Sequence, residues 1–129
     1  MLQGKTILLI EPYTQLREAY AYFLALHGYE IIQDGTGADI DNICQTEKFD
    51  IVITNVHLPE TSGADVIRKI KAIHPLVKAI GISFTFQTNY VNELKKAGAN
   101  AYLLKGMDEK ILLRVLKEIF EDKEYFVNR

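Results

Sequence analysis

Five short apolar runs, each followed by a segment with helical spacing, constrain the fold of this chain more than any other feature. The runs cover residues 6–10, 29–32, 49–54, 77–83 and 101–104. Each has the length of a strand, and its apolar residues are continuous, as in strands that helices cover on both faces. Strand–helix alternation with right-handed crossovers predicts an α/β fold, with a doubly wound five-stranded parallel sheet in three α/β/α layers.

The segments between the runs carry the helix signals. Apolar residues recur at helical spacing over residues 16–24 and 111–120. Ser62 and Asp65 form a capping box at the start of another helix, which Pro75 ends. Together these signals indicate five strand–helix pairs, a (βα)5 arrangement that we interpret as one domain over residues 1–129.

Charge and cysteine content narrow the possible partners and the compartment. Lys+Arg total 15 and Asp+Glu total 17, a formal net charge of −2 that gives no reason to expect direct binding to nucleic acid or to a membrane. The single cysteine, Cys44, cannot form an internal disulfide and is expected to be a small buried hydrophobe. The sequence shows neither a signal peptide nor a membrane span, so we expect a cytoplasmic domain.

The carboxyl ends of the predicted strands carry the candidate site. In open parallel sheets, ligands bind at this edge. The side chains that the sequence places there are Glu11, Pro12, Asn55, Ser83, Phe84 and Lys105.

The order and spacing of these residues resemble the receiver domain of two-component response regulators, with its CheY-like, flavodoxin-type fold, over nearly the whole chain. In that resemblance Glu11 matches the first residue of an acidic pair, Ser83 the hydroxyl residue and Lys105 the lysine. Residues 98–105 are close to the family's fifth-strand signature, and Tyr102 falls on its aromatic switch position.

Three positions depart from the family pattern. Pro12 replaces the second acid, Asn55 the phosphoacceptor aspartate, and Gly106 the proline after the lysine. Phosphoryl transfer needs an anionic oxygen nucleophile, which a neutral carboxamide does not provide. The charges of Glu11 and Lys105 sum to zero, so no cofactor is expected, and Mg²⁺ binds at most weakly to the remnant of Glu11, Asn55 and the His57 backbone.

Several of these residues also have a purely structural interpretation. Phe84 could fill or overhang the phosphoryl position. Phe84 and Phe86 are favoured as loop-anchoring core residues over an exposed interaction pair. Ser83 either signals or only satisfies a backbone group, and Tyr102 either switches or is a half-buried strand aromatic. Glu11 and Lys105 are favoured as a neutral pair left in a polar pocket.

Three functions from different classes fit the sequence. We favour a pseudo-receiver, a signalling module that acts through protein contacts without aspartyl phosphorylation and is not an enzyme. A genuine phospho-receiver with an engineered Asn55 is the second hypothesis, but Pro12 argues against it because one change suffices to block phosphorylation. A small-ligand-binding flavodoxin-like domain is the third, and it lacks a glycine-rich loop after the first strand.

The resemblance also implies where partners bind. The output face comprises the fourth helix, fifth strand and fifth helix, around Lys96, Tyr102 and Arg114, and its mixed charges suit a homodimer or a partner protein. Residues 119–126 resemble the junction that precedes helix-turn-helix DNA-binding domains. The chain is therefore either a stand-alone receiver or the N-terminal part of a longer regulator whose DNA-binding output domain lies outside it.

Overall fold

A parallel sheet of six strands forms the middle layer of the computed structural model, which describes residues 4–127. The strand order is β2-β1-β3-β4-β5-β6. The strands are β1 (Thr6–Ile10), β2 (Glu30–Asp34), β3 (Ile51–Asn55), β4 (Lys78–Ser83), β5 (Ala101–Leu104) and β6 (Tyr125–Phe126). The helices are α1 (Thr14–Leu26), α2 (Ile40–Thr46), α3 (Gly63–Ile73), α4 (Thr88–Ala97) and α5 (Glu109–Phe120).

Helices cover both faces of the sheet, which confirms the predicted three-layer α/β architecture. Residues of α1 and α5 pack with Ile7 and Leu9 of β1 on one face. Residues of α2, α3 and α4 pack with Leu8 and Ile10 on the other. All four of these β1 side chains are fully buried, which explains why the strand is apolar without alternation.

The sixth strand corrects the predicted five-stranded sheet. β6 lies in the tail segment that the sequence assigned to a helix end and a charged junction. It pairs in parallel with β5, with Ala101 opposite Tyr125 and Tyr102 opposite Phe126. Two residues are too few to show an alternating pattern, and the pairing partner is distant in sequence, so local periodicity gives no signal for this strand.

Two further features of the structure are the environment of Cys44 and the length and apolar character of the helices. Cys44 is buried against the α2 side of the core, as predicted, and burial raises the pKa of its thiol, with a smaller contribution from the Asp41 carboxylate. Across residues 4–127, no helix combines the length and the apolar character needed to cross a bilayer.

Candidate functional site

The six predicted site residues meet in one cleft at the carboxyl edge of the sheet. The cleft is lined by Glu11, Pro12, Asn55, Ser83, Phe84 and Lys105, together with Tyr13, His57 and Thr85. These side chains meet in the cleft because β1, β3, β4 and β5 are parallel, so the residues at or just after their ends all lie at the same edge of the sheet.

Glu11 and Lys105 form a buried ion pair at the floor of the cleft. Lys105 Nζ lies 2.5 Å from Glu11 Oε1, and the two side chains are 3% and 2% exposed. Glu11 Oε2 accepts a hydrogen bond from the Tyr13 backbone N–H at 3.0 Å. Oε1 accepts no hydrogen bond with standard geometry from any other residue between 4 and 127, so the lysine ammonium is its partner. Both carboxylate oxygens are therefore already engaged within the protein.

Asn55 ends β3, and its carboxamide is turned toward the following loop. Its Nδ2 donates a hydrogen bond to the His57 carbonyl oxygen at 2.5 Å. Gly63 allows the start of α3 to approach the end of β3 closely, since a Cβ atom at Gly63 would lie 2.6 Å from the Asn55 backbone carbonyl oxygen. The site residue at the centre of the cleft is thus a neutral amide held by the loop backbone.

Phe84 overhangs the cleft and is not a core residue. Its side chain is 67% exposed, and Lys105 Nζ lies 4.5 Å from the centre of its ring, a cation–π distance. Phe86, for which the same role was predicted, is partly buried and stacks on Tyr102 with 6.1 Å between ring centres. The structural interpretation was therefore wrong for Phe84.

Tyr102 is fully buried, which contradicts one of its two predicted alternatives, that of a half-buried strand aromatic. Its hydroxyl lies 2.9 Å from Ser83 Oγ and donates to the Thr85 carbonyl oxygen at 2.9 Å. Ser83 Oγ lies 2.6 Å from the same carbonyl. The two hydroxyls and one carbonyl thus form a compact triangle that ties β5 to the loop after β4.

A contact between His57 and Tyr90 extends this network, and the sequence did not predict it. His57 Nε2 and the Tyr90 hydroxyl are hydrogen-bonded. The Tyr90 ring packs edge-on against Tyr102, with 6.4 Å between ring centres. Tyr90 lies on the buried stripe of α4, and an aromatic in that stripe close to the strand ends was the signal available.

The backbone conformation at Gly106 explains why proline does not follow Lys105. Its φ is +87°, in the left-handed region that favours glycine. Proline is locked near −65° and cannot adopt this conformation. The departure from the family pattern at this position therefore reflects a different backbone path, which leads into the turn before α5.

The donors present are a poor fit for a strongly bound Mg²⁺ ion. Mg²⁺ is usually held by one or two carboxylates and by water. The one carboxylate that lines the cleft is paired with Lys105, and the His57 carbonyl already accepts from Asn55. Among residues 4–127, no group of three or more His, Cys, Asp or Glu side chains is arranged to hold a metal.

Lys96 and Arg114, the predicted output-face residues, lie outside the cleft. Both are exposed, on α4 and α5, and Arg114 Nε lies 3.9 Å from Glu118 Oε2. The structure therefore separates a cleft at the strand ends from a charged surface on these two helices.

The chain as a whole is similar to known proteins. Residues 7–117 match the family model described as Response regulator receiver domain. The chain belongs to this receiver domain family. It is 28% identical to the Chemotaxis protein CheY of Thermotoga maritima over 117 residues, covering 90% of this chain and 98% of that protein.

Longer regulators are also similar to this receiver domain. It is 26% identical over 121 residues, or 92% of its length, to the Transcriptional regulatory protein DegU of Brevibacillus brevis. The chain spans only 51% of DegU and 56% of another relative, the Response regulator GacA of Pseudomonas aeruginosa.

A solved structure supports the fold. The receiver domain of the sensor histidine kinase PA1611 of Pseudomonas aeruginosa, described with a magnesium ion coordinated in its active site cleft, superposes with a TM-score of 0.79 at 23% identity. The match covers 89% of this chain and 96% of that one.

Proposed function

We propose that this receiver domain signals through protein contacts without aspartyl phosphorylation. The observation that carries the proposal is the neutral carboxamide of Asn55 at the end of β3, hydrogen-bonded to the His57 backbone. A carboxamide provides no anionic oxygen to attack a phosphodonor. The domain then has no catalytic residue and is not an enzyme, and its signalling state is read by a partner.

The rest of the cleft supports the same proposal. Lys105 neutralises Glu11 within a buried pair, Pro12 supplies no second carboxylate, and the Phe84 ring covers the lysine. An incoming phosphoryl group and its metal would have to break this pair and displace the ring. We therefore propose that Mg²⁺ binds only weakly and that no cofactor is required.

The contacts among Ser83, Thr85 and Tyr102 favour a structural role for Tyr102 over a switching role. Its hydroxyl and that of Ser83 both lie within hydrogen-bond distance of the Thr85 carbonyl, and the Tyr102 ring packs against both Phe86 and Tyr90. We propose that these contacts hold the loop after β4 in one conformation.

Labelling with acetyl phosphate and Mg²⁺, followed by intact-mass measurement, tests the proposal. The natural chain should gain no phosphate, Asn55→Asp should label slowly or undetectably, and Asn55→Asp with Pro12→Asp should label faster. Asn92→Asp, on the exposed face of α4, controls for an added carboxylate elsewhere. Fast Mg²⁺-dependent labelling of Asn55→Asp alone, or a stoichiometric acid-stable and base-labile adduct on the natural chain, would contradict the proposal.

The proposed contact surface is the α4–β5–α5 face, with Lys96 and Arg114 exposed on its two helices. It carries Lys95, Lys96, Arg114 and Lys117 beside Glu93 and Glu118, a mixture that suits a self-complementary two-fold contact or a partner protein. The charge reversal Lys96→Glu with Arg114→Glu should weaken this association. Arg68→Glu with Lys69→Glu, on α3, makes the same charge change elsewhere and should not.

Two further proposals concern the compartment in which this receiver domain acts and its relation to nucleic acid. We propose that it acts in the cytoplasm and does not itself bind nucleic acid. In a longer regulator, a DNA-binding output region would lie outside residues 1–129. Electrophoretic mobility shifts of DNA by the 129-residue chain alone would argue against this assignment.

A further inference from the structure

The short strand β6 occupies the outer edge of β5. Its Tyr125 N–H donates to the Asn100 carbonyl oxygen at 3.1 Å, and the Val127 N–H donates to the Tyr102 carbonyl oxygen at 3.0 Å. Without these residues, β5 would be an edge strand with open backbone groups, and such edges are templates for pairing with another chain.

Side chains of the tail fasten it to both faces of the sheet. Tyr125 packs on the α1 and α5 side, where the Arg114 guanidinium lies 5.8 Å from its ring centre. Phe126 packs on the α2 to α4 side, where Lys95 Nζ lies 4.8 Å from its ring centre. The tail therefore engages one basic residue of each helix that flanks β5.

A tight turn returns the chain from α5 to the sheet edge. Asp122 has a φ of +62°, an uncommon value for a residue other than glycine. Its carboxylate Oδ1 lies 2.9 Å from Lys78 Nζ at the start of β4, an ion pair that fixes the turn against the sheet. The exposed aspartate limits the strength of this pair.

We propose that β6 is a strap that closes the edge of β5 within one chain, and that a second copy of the chain binds this edge only when the strap is released. This inference rests on the proposed α4–β5–α5 contact face. Two strand residues and the partly buried side chains of residues 125–127 hold the strap, so its release requires far less than global unfolding. A second copy offers the same β5 edge and the same mixture of charges, as a two-fold contact requires.

Two variants at one position isolate the strap. Val127→Pro removes the N–H that donates to Tyr102, whereas Val127→Ala shortens the side chain and keeps that donor. In the 129-residue chain, Val127→Pro should speed hydrogen exchange of the Tyr125 amide by roughly three- to tenfold, the range for one lost hydrogen bond. The self-association constant, measured by sedimentation velocity, should rise by a similar factor because a larger fraction of molecules is competent to bind.

The control and a second variant sharpen the result. Val127→Ala should change both quantities much less, and Phe126→Ala, which removes the ring beside Lys95, should act in the same direction as Val127→Pro. Faster exchange at Tyr125 without stronger association would overturn the proposal, as would a Tyr125 amide that is unprotected in the natural chain.

A combined variant distinguishes failure of the strap proposal from failure of the proposed contact face. Adding Lys96→Glu and Lys117→Glu, which keeps the Lys95 and Arg114 contacts of the strap, to Val127→Pro should abolish the gain in association if the released edge uses this face. If the gain persists, the proposed face is wrong while β6 still blocks association. If Val127→Pro gives no gain although the charge reversal weakens association of the natural chain, the face is right and the strap proposal is wrong.

Discussion

At the scale of single residues, a carboxamide has nearly the shape of a carboxylate, so Asn55 preserves the backbone geometry at the end of β3 while removing its charge. The sequence predicted the positions of Glu11, Asn55 and Lys105, because residues at the ends of parallel strands must meet at one edge. It left open whether Phe84 is exposed, and it did not predict the contact of His57 with Tyr90. Those features depend on how one loop and one helix pack together, which no local pattern encodes.

The buried ion pair gives a prediction at this scale. Lys105→Met should leave the Glu11 carboxylate buried without its counter-charge and lower the free energy of unfolding by roughly 3–5 kcal/mol. Lys105→Met combined with Glu11→Gln leaves no buried charge, so it should be markedly more stable than the single variant. Urea unfolding followed by circular dichroism measures both values. Equal stabilities for the single and double variants would show that the two side chains are not coupled.

At the scale of elements, the structure confirms the helices and strands that have strong local signals. α4 begins at Thr88 and ends at Ala97, and Gly98 follows with a φ of +98°, as its glycine stop predicted. The weakest match is β2, predicted at residues 29–32 and found at Glu30–Asp34, on an exposed sheet edge where the apolar pattern is diluted. β6 escaped prediction because a distant strand, rather than its own sequence pattern, makes it a strand.

The capping of α3 gives a prediction at the scale of elements. Ser62 Oγ accepts a hydrogen bond from the Asp65 backbone N–H at 3.1 Å. Ser62→Ala should lower the free energy of unfolding by about 1 kcal/mol, the usual cost of losing such a cap. Thr61→Ala is the matched control, since it removes a neighbouring hydroxyl while the capping side chain of Ser62 stays in place. Thermal and urea unfolding of both variants provide the comparison, and equal losses would argue against the cap.

At the scale of the whole molecule, a parallel sheet covered on both faces leaves few places for a ligand. The core occupies both layers between sheet and helices, so the cleft lies at the carboxyl edge, and the contact surface that we propose lies on the flanking helices. The sequence predicted this division because apolar continuity identifies the buried strands and polar residues follow their ends. It could not predict that the outer edge of β5 would be covered, since that depends on the path of the last residues.

Metal dependence gives a prediction for the whole molecule. A ligand that binds the native state raises its melting temperature by mass action. Because the cleft offers one carboxylate that is already paired with Lys105, millimolar Mg²⁺ should leave the melting temperature nearly unchanged. Asn55→Asp with Pro12→Asp should show a clear rise under the same conditions. A saturable rise for the natural chain would mean that the cleft still holds metal.

The direction of β6 determines which edge of the sheet residues 125–127 approach. α5 ends near the amino edge, where Lys5 Nζ lies 5.1 Å from the centre of the Phe120 ring. Because β6 runs parallel to β5, the chain is carried back toward the edge that holds Asn55 and Lys105. A fluorescent reporter attached at position 127 would stand on the same side as the cleft, whereas one attached at Gly4 would stand on the far side. Energy transfer between the two reporters would depend on their separation along the strands. A change in transfer efficiency would therefore report release of the tail.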